Sequence, residues 1–209
     1  MSRFSLTVLV DNMTLADRYF IGEPGLSFLI HTDQETILFD TGYSEVFLSN
    51  AQKMGKSLLD LDYVVFSHGH LDHTGGISAL IRHMTEAKNS KLPCKIPRII
   101  SYLLCFCPRP KFPHPNVGSP LRDEEIKRYF PTNLSEKPVW ITEDLVFLGE
   151  IPRGNSYEKA EAGNRMIILP DGSKMPDHLI DDSSLAYRSK KGIVIITGCS
   201  HSGVCNIIE

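Results

Sequence analysis

The chain has 209 residues, 42% hydrophobic and 22% charged, with a formal net charge of −3. That composition suits one globular domain spanning residues 1–209, able to bury a core, and excludes a disordered or low-complexity chain. The mildly acidic balance supplies no basic excess for nucleic acid, and no apolar run reaches the ~18 residues of a membrane span. Met1-Ser2-Arg3-Phe4-Ser5 runs straight into a strand with no signal-peptide pattern, so a cytoplasmic protein with no membrane partner is expected. Cys94, Cys105, Cys107, Cys199 and Cys205 are an odd set without a secretion signal and read as reduced thiols; Cys105-Phe106-Cys107 alone is too little for a zinc site.

In chain order, residues 5–10 read as a strand, followed by a polar loop, a strand over 26–31, a turn at Thr32-Asp33-Gln34-Glu35 and a strand over 36–39. A helix is expected over 45–54, closed by Gly55, and then a short β-branched and aromatic strand over 61–66. A helix is expected from Ile77, followed by a strand over 95–102. The proline-rich stretch 107–120 reads as a long loop of the kind that covers a site. Further strands are expected over 138–142, 145–148, 164–169, 183–187 and 193–197, the last preceded by a Lys190-Lys191-Gly192 turn.

The chemistry is concentrated directly after the 61–66 strand, in Ser67-His68-Gly69-His70-Leu71-Asp72-His73-Thr74-Gly75-Gly76. In an extended loop His68 and His70 point the same way and can converge on one ion. Asp72 and His73 follow where the chain turns into a helix, placed to face a second ion beside the first. A second strand-end cluster, Gly198-Cys199-Ser200-His201, follows the apolar 193–197 strand. His201 can add an imidazole to the same centre, and Cys199 beside it offers a soft thiolate that also suits zinc.

The H-x-H-x-D-H pattern, preceded by Phe39-Asp40-Thr41-Gly42 after an apolar strand, resembles the metallo-β-lactamase superfamily. The resemblance implies an α/β fold, an αββα sandwich of two mixed sheets face to face with helices outside, and one or two divalent ions at the sheet edge. Zinc is favoured, with manganese and iron as alternatives. It places His68 and His70 on the first ion, Asp72 and His73 on the second, and Asp40 behind a metal-bound histidine. Asp11-Asn12, Gly22-Glu23-Pro24-Gly25-Leu26-Ser27, Gly149-Glu150-Ile151-Pro152-Arg153, Asp181-Asp182-Ser183-Ser184-Leu185-Ala186 and the 192–203 run narrow the resemblance to one branch. That branch contains 7,8-dihydropterin-6-methyl-4-(β-D-ribofuranosyl)aminobenzene 5′-phosphate synthase, of methanopterin formation, and many metallo-hydrolases.

Two departures stand out. Tyr102 falls where relatives carry a further histidine, and a protonated phenol is a poor zinc ligand at neutral pH, so the first ion would rest on fewer imidazoles or draw on another residue such as His114 from the 107–120 loop. The chain also stops within an apolar-periodic stretch at Glu209, so the C-terminal half is expected to be incomplete, without the superfamily's last histidine motif. The expected activity is metal-dependent hydrolysis or group transfer on a small molecule, a dihydropterin or a phosphate-containing compound, with Asp72 as both ligand and proton acceptor. Arg153 is a candidate for substrate anions, Asp11 and Asn12 for polar edges, and a homo-oligomer is compatible with the sequence. The alternatives are a degenerate, non-catalytic relative that still binds an ion and a di-iron redox protein.

Overall fold

The computed structural model describes residues 4–158 and 162–209. Met1-Ser2-Arg3, read as leading directly into the first strand, lie outside the described residues. Strands β1 (Ser5–Val10), β2 (Ser27–His31) and β3 (Thr36–Phe39) form an antiparallel meander. The turn between β2 and β3 closes where the Thr32 N–H donates to the Glu35 carbonyl at 2.9 Å. Helix α1 (Val46–Lys53) then crosses to β4 (Tyr63–Val65). Helices α2 (Leu71–Thr74) and α3 (Ile77–Asn89) cross to β5 (Arg98–Ser101), and α4 (Asp123–Tyr129) to β6 (Thr132–Leu134). Each crossover adds a parallel neighbour, giving a mixed sheet in the order β1-β2-β3-β4-β5-β6.

The second half supplies β7 (Val139–Trp140), β8 (Leu145–Phe147), a separate hairpin of β9 (Met166–Ile168) and β10 (Lys174–Pro176), then β11 (Ser184–Ser189), β12 (Gly192–Thr197) and α5 (Val204–Ile208). The second sheet runs β12-β11-β8-β7. All of its pairings are antiparallel, so of the two sheets expected to be mixed only the first is.

Alternation along the strands explains the layering. Ile30, Ile37, Phe39, Val65 and Ile100 point towards Leu145, Phe147, Leu185, Tyr187 and Ile196 of the second sheet. Their immediate neighbours Leu29, Leu38, Val64 and Ile99 face the other way, onto Phe47 of α1, Ile77, Leu80 and Met84 of α3, and Ile126 of α4. Strands buried on both faces read as continuous apolar runs, as 37–39 and 63–66 do. Each such side chain contributes roughly 1.5–3 kcal/mol by leaving water.

Elements the sequence reading passed over have identifiable reasons. Helix α4 is short and charged, with Ile126 as its one buried side chain, so it lacks an apolar stripe. Strand β10 is fully exposed and ends on Pro176, which fits the outer strand of a hairpin. Because β3, β4 and β5 are parallel, their carboxyl ends open at one edge of the sheet, where such folds place ligands. The Ser183 N–H donates to the Ser67 carbonyl at 2.8 Å and stitches the approach to β11 onto that edge.

Candidate metal centre

Asp40 follows β3 with φ +57°, a backbone rare for a residue with a Cβ, and is fully buried. Its carboxylate organises the histidine loop. Oδ1 accepts the Ser67 N–H at 2.7 Å, while Oδ2 accepts the Ser67 hydroxyl at 2.6 Å and faces His73 Nδ1 at 2.7 Å. Thr41 reinforces this, its N–H and hydroxyl both donating to the His73 carbonyl at 2.8 and 3.0 Å. With the Ser67 proton given to Asp40, Ser67 Oγ can only accept from His68 Nδ1, 2.9 Å away. One carboxylate thus fixes two tautomers, directing Nε2 of both His68 and His73 away from Asp40.

Those nitrogens meet the remaining donors. His68 Nε2 lies 3.1 Å from His70 Nδ1, and His73 Nε2 lies 3.1 Å from Cys199 Sγ, carried by the turn after β12. The His201 ring centroid is 5.0 Å from those of both His68 and His70. Donor atoms of His68, Cys199 and His201 all lie within 4.8 Å of one another, and so do those of Asp72, His73 and Cys199. Cys199 is therefore common to two overlapping sets, and His70 stands against the first.

The protonation pattern follows from burial and charge. Burial holds His68 well below the usual imidazole range, with His73, His70 and His201 adding to the effect. His70 is pushed down to about 3 by burial and then by the charges of His201 and Arg109. Burial also lowers His201, partly opposed by Asp182. Burial works against charge on His73 too, but the Asp40 carboxylate and its hydrogen bond, followed by Cys199, raise it to about 11. Neutral His68, His70 and His201 are what a divalent ion requires as ligands, whereas His73, held as an imidazolium by Asp40, would have to give up its Nε2 proton to bind one.

Two orphaned atoms test the fit. The buried His201 Nε2 and Asp182 Oδ1 have no hydrogen-bond partner among the described residues. An unpaired buried nitrogen beside two other imidazoles and a thiol is costly unless something occupies the space between them. Imidazole, thiolate and carboxylate donors fit a divalent ion of zinc's type.

Support comes from residues not singled out as functional in the sequence. Asp182 accepts the Ser202 N–H at 2.8 Å and holds the His201 turn. Asp181 Oδ2 accepts the Gly69 N–H at 2.8 Å and pairs with Arg109 Nη2 at 2.6 Å, while Arg109 Nη1 pairs with Asp177 at 2.6 Å. All three charged side chains are almost wholly buried. Glu23 accepts the N–H groups of Tyr43 and Ser44, both at 3.0 Å, and Gly25 (φ +108°) lies so close to the Asp72 carbonyl that a Cβ there would overlap it.

The other expected residues lie apart. Tyr102 is buried and its hydroxyl donates to Glu150 Oε2 at 3.1 Å; burial first, then Glu150, pushes its pKa up, and it does not line the cavity at the centre. Arg153 donates to the carbonyls of His178 and Leu179, both at 2.6 Å, and Asp11 and Asn12 are exposed; none of the three lines the cavity at the centre. That cavity, about 530 Å³, is bordered by His70, Asp72, His201, Tyr43, Lys111 and Arg165, and by His114, which is in neither donor set. Cys105 and Cys107 are buried thiols whose pKa burial raises. No helix among the described residues is long and apolar enough to cross a membrane.

Comparison with known proteins agrees with this geometry. Residues 21–85, which carry Asp40 and the whole histidine loop, match the family described as the metallo-beta-lactamase superfamily. An uncharacterized protein of Methanocaldococcus jannaschii is 32% identical over 98% of this chain and 72% of its own length. The same organism's 7,8-dihydropterin-6-methyl-4-(beta-D-ribofuranosyl)-aminobenzene-5'-phosphate synthase is 30% identical over 96% of this chain and 72% of its own length. A crystal structure described as a metal-dependent hydrolase of the beta-lactamase superfamily superposes with TM-score 0.75 at 29% identity, over 99% of this chain and 70% of that one. With the matched segment, relatives aligned over nearly the whole of this chain, and the fold in agreement, the chain belongs to the metallo-β-lactamase superfamily.

Proposed function

We propose that this chain is a single-domain, cytoplasmic, metal-dependent hydrolase or group transferase of a small molecule, with zinc as the resident ion. The observation that carries the reading is the pair of donor sets sharing Cys199, with the orphaned His201 Nε2 beside them. His68, His70, Cys199 and His201 would hold one divalent ion and Asp72 and His73 a second, which would supply Lewis acidity for a substrate oxygen and for activation of a water. The protein's own part is to keep both histidine tautomers fixed through Asp40 and Ser67. Asp72, on the cavity wall with its side chain 37% exposed, is reachable by substrate and takes the proton released by the attacking group. The printed name of the 30% identical relative puts dihydropterins and phosphate-containing compounds first among substrates to try.

The test is elemental analysis of protein purified without added metal, beside a His68→Ala/His70→Ala variant, followed by a screen of phosphoesters and dihydropterins. Near-stoichiometric zinc lost in the variant, with turnover that chelation abolishes, is the expected result. Absence of bound metal from both proteins would sink the proposal. A second reading, a metal-binding protein without turnover, is favoured by Tyr102, which gives its hydroxyl to Glu150 rather than to the centre; retained metal with no turnover on any of these substrates would select it.

A further inference from the structure

The cavity beside the donor sets has two cationic side chains that metal binding does not use. Lys111 and Arg165 reach its wall from separate parts of the chain. They are neighbours because β9 runs along the 108–110 segment, with Met166 N–H donating to the Pro110 carbonyl at 3.2 Å and Ile168 N–H to the Pro108 carbonyl at 2.9 Å. Lys111 stands at the start of a tight turn whose ends bond each other, Lys111 N–H to the His114 carbonyl at 3.1 Å and His114 N–H to the Lys111 carbonyl at 2.6 Å. Lys111 as a residue is half-buried, and it makes no ion pair among the described residues. Asp177 and Asp181, nearby in the fold, are already committed to Arg109.

Asp72 is the one carboxylate among the described residues bordering the cavity, and it belongs to a donor set. Pro24, Tyr43, Leu71 and Val117 supply an apolar and aromatic wall. A volume of about 530 Å³ is in the range that encloses a small organic molecule. A lysine and an arginine lining one cavity favour a dianionic oxyanion, since phosphate offers more charge and more acceptor oxygens than carboxylate.

We propose that Lys111 and Arg165 form an anion subsite that binds the phosphate monoester of a small aromatic molecule, whose ring lies against the Tyr43 wall. The group to be transformed then faces His70, Asp72 and His201; this last placement rests on the metal-dependent reading above, whereas the anion subsite does not.

The experiment is calorimetric titration of the full chain, as purified, with phenylphosphonate, which presents the dianion and cannot be hydrolysed at a P–O–C bond. Benzoate and benzamide serve as the monoanionic and neutral comparisons. Phenylphosphonate should bind more tightly than either, and Lys111→Ala and Arg165→Gln should each weaken it roughly tenfold or more while leaving benzamide unchanged. Lys111→Arg should retain most of the affinity, which separates lost charge from a disturbed loop. Binding equal in wild type and both charge-removing variants, or no binding at all, would overturn the subsite. Benzoate binding as tightly as the phosphonate would overturn its assignment to phosphate. Metal content and phosphoester turnover of the same preparations keep the two proposals apart. Lys111-dependent binding without metal or turnover removes the enzymatic reading alone, and metal-dependent turnover with Lys111-independent binding removes the subsite alone.

Discussion

Replacing Arg109 with methionine would expose the support beneath the histidine loop. The guanidinium is 1% exposed and pairs at 2.6 Å with both Asp177 and Asp181, while Nη2 also donates to the Leu104 carbonyl at 3.1 Å. Methionine fills much of the volume but leaves two buried carboxylates without their cation, a loss of about 3–5 kcal/mol. A domain of ordinary stability has about 5–15 kcal/mol in total, so the variant should remain folded only narrowly at room temperature. For a chain of 209 residues that loss should lower the melting temperature by roughly 6–20 °C. Urea and thermal unfolding followed by circular dichroism measure it, and Asp177→Asn/Asp181→Asn added to Arg109→Met should recover part of the loss by removing the stranded charges. Because Asp181 also accepts the Gly69 N–H, metal content should fall with stability in Arg109→Met. A loss below about 1 kcal/mol with unchanged metal content would refute the argument that the buried triad supports the loop.

Gly69→Ala should cost about 1–3 kcal/mol and reduce metal content, because its Cβ would overlap the Cys105 carbonyl oxygen, a backbone atom that cannot swing aside; wild-type melting and metal content would contradict this. Tyr102→Phe should cost about 1 kcal/mol through the lost hydrogen bond to Glu150 and leave metal content unchanged, which elemental analysis of the variant checks. In chelator-treated protein His73, raised from 6.5 to about 11, adds stability that is fully present below pH 6.5 and lost as pH rises towards 11. His70, lowered from 6.5 to about 3, acts oppositely at the acid end: below pH 6.5 the unfolded chain takes up a proton that the folded one refuses, so stability falls towards pH 3. Urea midpoints across pH should therefore peak near 6.5, and His73→Gln should flatten the alkaline side; an alkaline limb unaltered by His73→Gln would contradict the assignment.

The histidine loop was legible because its donors are consecutive, so local geometry alone brings them to one place. Asp40 was legible through its Asp-Thr-Gly turn after an apolar strand, although the part played by Ser67 emerges only when the carboxylate is seen to reach both that hydroxyl and His73. The Arg109 pairs span 68 and 72 positions, and nothing in the local pattern of a proline-rich loop announces them. Lys111 and Arg165 become neighbours only through the pairing of β9 with the 108–110 segment, a tertiary event with no periodic signature. Arg153 carried the right charge for substrate, but two backbone carbonyls had first claim on its guanidinium. The 36–39 run was readable to within a residue because burial of Ile37, Leu38 and Phe39 leaves a strong apolar record, whereas 193–197 was readable from its β-branched run although Ile193 and Val194 are exposed.

The contact between His73 and Cys199 joins positions 126 residues apart, with one partner on each half of the sandwich. An ion gripping both sides would act as a removable cross-link, closing a loop long enough that an equivalent covalent bridge is worth about 4–5 kcal/mol through the unfolded chain alone. Occupancy and melting temperature then report each other, and a chelator titration followed by thermal shift becomes an assay for the centre that needs no substrate.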